Sequence, residues 1–273
     1  MKKIPFYKMQ GSGNDFILTD NRRDILRGRG LSSLAQTLCN RHYSIGADGL
    51  IVIVRPKDRR AADFGWRFFN SDGSEAEMCG NGSRCAARFA FLNKIAGRKM
   101  VFETLAGLIS AEVKAERVKV RLPAARDTRL DIKLNLGGSE RIAHFINTGV
   151  PHVVYFSNDL DKEDVRSIGR ATRYHEAFRP AGTNVNFVQR TGPSRLRIRT
   201  YERGVEDETL ACGTGSVAAA LIAAALGKAS SPVEVIPRSN ERLVVSFDMS
   251  DSGFGGVYLE GEAKVICEGK VYV

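Results

Sequence analysis

Two cysteines are the residues best placed to do chemistry, each followed by a glycine-rich turn and a run of helix-forming residues. Residues 78–97 read MCGNGSRCAARFAFLNKIAG, and residues 211–227 read ACGTGSVAAALIAAALG. Cys79 and Cys212 therefore fall at the N-terminal ends of predicted helices. Backbone N–H groups there lack intrahelical partners and the macrodipole is positive. Such a setting lowers a thiol's pKa and holds anions, and the glycines let backbone approach a ligand closely. A single site of this kind suits a nucleophilic cysteine enzyme, but that role asks for a partner base. No histidine repeats beside both cysteines. A facing pair suits a different reaction, in which one thiolate removes a proton from a carbon and the opposite thiol delivers one to the other face. The helix N–H groups would hold a carboxylate on that carbon and stabilise its developing charge. The stereocentre inverts with no metal or organic cofactor. Thiols fit, because a modest shift from about 8.5 makes sulfur usable as acid or base near neutrality.

The surrounding elements read as two copies of one design. FFNSDGSEAEMCGNGS leads to the first cysteine and TYERGVEDETLACGTGS to the second, each as strand, acidic turn, cysteine, glycine turn, helix. Asn70 and Arg203 each stand nine residues before their cysteine, and GSGNDFIL and NTGVPHVV each start some 65 residues before theirs. FILTD, GLIVIVRP and GWRFFN read as strands, with a helix over about 26–39. In the second half HVVYF, VNFVQ and RLRIRTYE read as strands, with a polar helix over about 161–174. VAAALIAAAL is apolar on every side and so predicts a helix buried all round; its partner is mostly so, with Arg84 and Arg88 as exceptions. The expected fold is a sheet-dominated α/β (α+β) protein of two pseudo-symmetric domains from an internal duplication. Each is a mixed sheet around a central helix, with the active site expected in the cleft between halves. AARDTRLDIKL loses periodicity and sets the boundary: an N-terminal half over 1–123 and a C-terminal half over 124–264, with a final strand at about 265–273 returning to the first half.

Composition narrows the function classes. The chain has 273 residues, 43% apolar and 26% charged, ordinary for a globular protein. The opening MKKIPFYKMQGSGNDF has no long apolar stretch, and no uncharged apolar run spans a bilayer, so a cytoplasmic protein without membrane contact is expected. Five cysteines (Cys39, Cys79, Cys85, Cys212, Cys267) form a sparse, odd set that speaks for reduced thiols. The four histidines lack metal-ligand spacing, and no metal site is expected. The net charge of +10 gathers partly at Arg22, Arg23, Arg27 and Arg29 and at Arg55, Lys57, Arg59 and Arg60. Neither group carries a nucleic-acid-binding motif or aromatics, so both read as solvated faces and no nucleic-acid partner is expected.

Over essentially its whole length the sequence resembles the diaminopimelate epimerases, pyridoxal-phosphate-independent amino-acid epimerases. The resemblance rests on QGSGNDF (10–16), FFNSDGSEAEMCGNGSRC (68–85), NTGVPH (147–152), GTNVNFV (182–188) and YERGVEDETLACGTGS (201–216). It implies a cofactor-free isomerase that interconverts LL- and meso-diaminopimelate for lysine and peptidoglycan synthesis, with a small-molecule substrate as partner and a homodimer left open. By this resemblance Cys79 and Cys212 are the acid/base pair, Cys79 donor and Cys212 acceptor in one direction and exchanged in reverse. Gly80, Asn81, Gly213 and Thr214 match the donors that grip the reacting carboxylate. Asn14, Asn70, Asn184 and Arg203 match residues that hold substrate, Glu202 one near its ammonium, and His152 lies in the Pro-His element.

Plainer readings stand beside these. Asn70 suits a turn cap, Asn14 a loop and Arg203 a surface ion pair, while Cys39, Cys85 and Cys267 read as structural. The family often has asparagine where this chain has Val150 and glutamine where it has Gly49, which bears on the distal site rather than the chemistry. Proline and hydroxyproline racemases share the two-cysteine logic but typically carry histidine two residues after the first cysteine, where Asn81 stands. A proline-type racemase is thus the alternative enzyme, and a basic nucleic-acid-binding protein with structural cysteines the alternative outside enzymes.

Overall fold

The computed structural model describes residues 3–28, 30–251 and 253–273. The chain divides into two compact units, one of residues 1–120 with 261–273 and one of residues 121–260. Each is best followed through its parallel strand pairs, because a parallel pair needs a crossover and the crossovers carry the helices.

In the first unit Asn14–Asp20 runs parallel to Gly49–Val54, and the crossover between them carries helix α1 (Leu31–Cys39). Phe64–Asn70 pairs antiparallel with Gly49–Val54 and parallel with Lys99–Thr104. This second crossover carries helix α2 (Gly80–Leu92). Lys99–Thr104 continues antiparallel into Gly107–Lys114 and Arg117–Arg121. At the opposite edge Lys3–Gly11 pairs with both Asn14–Asp20 and the C-terminal strand Lys264–Tyr272. Helix α2 lies against Lys3–Gly11, Asn14–Asp20, Gly49–Val54 and Gly107–Lys114, so the sheet curls around it. Helix α1 packs on the other face, where Leu34, Ala35, Leu38 and Cys39 join Ile17, Leu50, Val52 and Phe69 in a buried cluster.

The second unit repeats this order. Pro151–Phe156 runs parallel to Asn184–Gly192 through a crossover bearing helix α3 (Val165–Arg173), and Arg195–Glu202 runs parallel to Val233–Ile236 through helix α4 (Gly213–Ala225). Residues 217–224 of α4 are all buried, as a helix apolar on every side requires. Burying each of Val217, Leu221 and Ile222 contributes on the order of 1.5–3 kcal/mol. The helix closes where Gly227, at φ +66°, lets its own N–H reach Ala224 O and that of Lys228 reach Ala223 O. Helix α2 ends by the same pattern with Lys94 at φ +55°, five residues after the buried Phe89 and three before Gly97, the glycine that closes its run in the sequence.

Four details differ from the sequence reading. The helix expected over 26–39 begins at Leu31, because Asp24 and Gly28 take positive φ and hold residues 21–28 in turns. The polar helix expected over 161–174 divides into a 3-10 turn at Leu160–Lys162 and α3. The stretch taken as an aperiodic boundary is an eleven-residue strand, Arg126–Leu136, paired with Ser139–Asn147; most of it is exposed, so no apolar alternation marks it. Cys267, read as a buried structural thiol, is exposed on Lys264–Tyr272. Cys39 and Cys85 are buried. Within the basic groups Arg22 pairs with Asp20, Arg55 donates to Arg22 O and Lys57 pairs with Glu103. Arg29 lies outside the described residues.

Candidate active site

Both central helices start in the same way. Cys79 is the N-cap of α2 and Cys212 the N-cap of α4, each in extended conformation on a helix of thirteen residues. The first intrahelical bonds run from Ser83 N to Cys79 O at 2.8 Å and from Ser216 N to Cys212 O at 2.9 Å. The amides of Gly80 and Asn81, and of Gly213 and Thr214, therefore precede the first intrahelical donor and have no helical acceptor of their own, so an anion finds donors there.

In the first unit the Cys79 sulfur accepts from Gly82 N at 3.4 Å and donates to Asn14 Oδ1 at 3.7 Å. Asn14 sits just past the turn Ser12–Gly13, both at positive φ, and its amide donates to Asp48 Oδ2 at 2.6 Å. Asp48 and Asp15 share Arg41, and Lys8 also reaches Asp15 at 3.0 Å. These partners hold the Asp15 carboxyl below its usual range although burial works the other way. Asn81 is buried and its Oδ1 accepts from Arg84. Cys79, Gly80, Asn81 and Asn14 are thus brought together. Asn70 is not bonded into this group: its side chain donates to Ser74 Oγ at 3.0 Å and its carbonyl accepts from Gly73, so it caps the 71–74 turn. Gly49 pairs with Asn70 across the sheet, and a Cβ there would stand 2.5 Å from the Phe68 ring and 2.8 Å from Phe69 O. The Phe68 ring occupies the space that a side chain at position 49 needs.

In the second unit a polar chain runs to Cys212. Asn186, fully buried, uses its Nδ2 hydrogens on Val153 O at 2.8 Å and His152 Nδ1 at 3.2 Å, while its Oδ1 accepts from Thr200 Oγ1 at 3.0 Å. With Nδ1 occupied as an acceptor, the His152 proton is assigned to Nε2, which donates to Thr214 Oγ1 at 3.0 Å. The Thr214 hydroxyl in turn lies 3.5 Å from the Cys212 sulfur, a contact in which the thiol donates when protonated and the hydroxyl donates to the thiolate. Burial, helped by the Arg203 charge, pushes the His152 pKa down to about 3, so the ring is neutral through the physiological range. Asn184 binds Pro151 O through its amide and receives Arg203 N at 2.9 Å, and the Arg203 side chain donates to Ala181 O at 3.1 Å. Burial raises the Glu202 carboxyl above its ordinary value. Val150 forms a turn in which its carbonyl accepts from Thr148 N at 3.1 Å.

Asn186 was missed by sequence reasoning, although a signal existed. It stands two residues after Asn184 in VNFVQ, a polar side chain on the buried face of a strand, and such a residue needs partners.

The His152 environment sets a pH dependence. Its folded pKa lies below the unfolded value near 6.5, so the unfolded chain binds the extra proton and stability falls as pH drops below 6.5. Between pH 6.5 and pH 4 this group alone is expected to cost about 3 kcal/mol. Urea unfolding of the wild type and His152→Gln across that range should show the wild type losing more by this amount. Parallel losses would mean that His152 is not held neutral.

Two halves, each with a cysteine N-capping a central helix behind a parallel crossover, define a duplicated fold with known relatives. It is shared with a phenazine biosynthesis protein of the PhzF family from Bacillus anthracis (TM-score 0.76, 15% identity, all of both chains). It is shared too with a probable proline racemase from Agrobacterium radiobacter K84 solved with bound carbonate (TM-score 0.71, 13% identity, 99% of this chain and 93% of the other). At sequence level the match is narrower: the diaminopimelate epimerase family model matches residues 6–126 and 144–266. A diaminopimelate epimerase of Aquifex aeolicus (strain VF5) is 48% identical over 98% of each chain. The chain belongs to the diaminopimelate epimerase family.

Proposed function

We propose that the chain is an isomerase that interconverts LL- and meso-diaminopimelate by two-base proton transfer at the α-carbon, with Cys79 and Cys212 as the bases. The observation that carries this reading is the repeated cysteine N-cap, at corresponding places in both halves of a chain of this family. In one direction Cys212 as thiolate takes the α-proton while Cys79 as thiol gives one up on the opposite face; in the reverse direction they exchange. The charge that develops runs into the reacting carboxylate, held by the amides of Gly80, Asn81, Gly213 and Thr214. With Cys212 as thiolate the only proton on its contact with Thr214 is the hydroxyl's, so Thr214 donates and favours that state, while the neutral His152 holds the hydroxyl without adding a second charge.

Asn14, Asn70, Asn184 and Arg203 bind the substrate in this reading, and Glu202 meets its ammonium. Arg203 contributes a guanidinium suited to fork a carboxylate. The small, odd number of cysteines supports work in the reducing cytoplasm, in lysine and peptidoglycan precursor synthesis. Assembly as a homodimer is part of the same reading, with sedimentation velocity as its test. Incubation with LL-diaminopimelate followed by chiral chromatography tests the function: meso product supports it. Racemisation of proline, with diaminopimelate left untouched, would move the specificity to the proline racemases.

A further inference from the structure

Arg84 is the largest fully buried side chain of the described residues, and it lies one turn into α2. Side chains on a helix lean back toward its N-terminus, which carries this guanidinium to the base of the Cys79 turn. There Nη2 donates to Ser12 Oγ at 2.8 Å and to Asn81 Oδ1 at 3.0 Å, Nη1 to Gly80 O at 3.4 Å, and Nε to Glu262 O at 3.3 Å. Its bonds thereby join three separate pieces of chain: the turn that precedes Asn14, the first turn of α2, and the end of the strand Gly253–Glu262 just before the C-terminal strand begins. The fit is close, since a Cβ on Gly11 would come within 3.2 Å of Nη2. Ser12 itself is buried at φ +60°, a conformation costly for serine that persists where its surroundings over-determine it. The corresponding position in the other half, five residues after Cys212, is the apolar Val217.

We infer that Arg84 is a positioning residue for Cys79, clamping the 11–14 turn onto the first turn of α2 so that Asn14 stays against the sulfur and the Gly80 and Asn81 amides stay aimed outward. The clamp also fixes a positive charge beside the end of α2 where anionic sulfur is favoured. The two thiols are in consequence unequal by construction: a buried guanidinium serves the Cys79 turn, and the neutral His152–Thr214 chain serves Cys212. Other charged groups on the elements that meet Cys79 are Asp15 and Asp48 with their partners Lys8 and Arg41, Glu77 before it in sequence, Arg88 further along α2 with Glu116, and Glu262, which ends the strand Gly253–Glu262, with Lys264 at the start of the returning strand. Arg84→Met and Arg84→Lys leave all of these in place.

The inference rests on the two-thiol reading only for its functional meaning, and its test needs no substrate. The full chain is alkylated with iodoacetamide over a range of pH, and labelling at Cys79 and Cys212 is followed separately by peptide mass spectrometry. Arg84→Met should raise the pH midpoint of Cys79 labelling by one unit or more, leaving the Cys212 midpoint in the same molecules unmoved. Arg84→Lys, which keeps the charge and loses the fork, should slow Cys79 labelling at pH 7 about threefold or more. Should Arg84→Met fail to fold, Arg84→Lys and Ser12→Ala carry the test, and Ser12→Ala should slow Cys79 in the same direction. An unmoved Cys79 midpoint in a folded Arg84 variant, or equal shifts at both cysteines, would overturn the inference. Loss of epimerase activity with neither midpoint changed would count against it equally.

Discussion

Replacing either Cys79 or Cys212 with alanine is expected to reduce epimerisation of diaminopimelate about a thousandfold or more while the fold survives. Each thiol is the only proton carrier on its face in the proposed reaction, and a positioned acid or base is worth on the order of 10²–10⁴ in rate. The structural cost is small and differs between the two. The Cys79 sulfur accepts from Gly82 N and so caps its helix, whereas Cys212 makes no such cap. Cys79→Ala should therefore lose about 1 kcal/mol of stability that Cys79→Ser retains, and Cys212→Ala should lose less. Circular dichroism and thermal melts separate the two effects. A single alanine variant with full activity would remove the two-base mechanism.

Among single substitutions, the largest stability effect is expected at Gly215. This glycine and Gly82 hold the same place, three residues after each cysteine, yet their surroundings differ. A Cβ at Gly215 would overlap Asn186 Oδ1 and stand 3.3 Å from the Cys212 sulfur. Asn186 cannot retreat without breaking bonds to Thr200, Val153 or His152. Gly215→Ala should thus cost about 2–3 kcal/mol, lower the melting temperature by roughly 5–10 °C and slow the Cys212 half of the reaction. A Cβ at Gly82 would meet the Ile51 methyl at 3.2 Å and the Trp66 ring at 3.4 Å, contacts that small side-chain movements relieve. Gly82→Ala should be the milder change. Equal losses at both glycines would mean that Asn186 is not held as the bond network requires.

The elements that carry the chemistry were the most legible in the sequence. An all-round apolar run such as VAAALIAAAL has one stable solution, burial on every side, and the cysteine–glycine turns mark its start. The internal repeat was legible because the acidic turn, cysteine and glycines recur in order. Elements less bound to the core left weaker traces. Arg126–Leu136 is exposed along most of its length, so its residue types follow solvent rather than a pleat. Helix α2 stops at a left-handed lysine, a position that a reader of sequence assigns to the next glycine. The site was legible in its cysteines, glycines and flanking asparagines, which recur in fixed motifs. Asn186 and Arg84 were not, because their importance lies in partners distant in sequence: Asn186 meets His152 and Thr200, and Arg84 meets Ser12 and Glu262. Gly49 is a related case, with the reason for its lack of a side chain found in Phe68 on the neighbouring strand.

The central claim is that two different groups carry the proton off and on, and proton NMR of LL-diaminopimelate with enzyme and reductant in D2O tests it most directly. A thiol that has exchanged with solvent delivers deuterium. Two-base transfer therefore predicts that the first meso product carries deuterium at the inverted carbon while the remaining LL substrate still carries protium. Early meso product that retains the substrate's own proton at that carbon would contradict it, since one group would then have removed and returned the same proton.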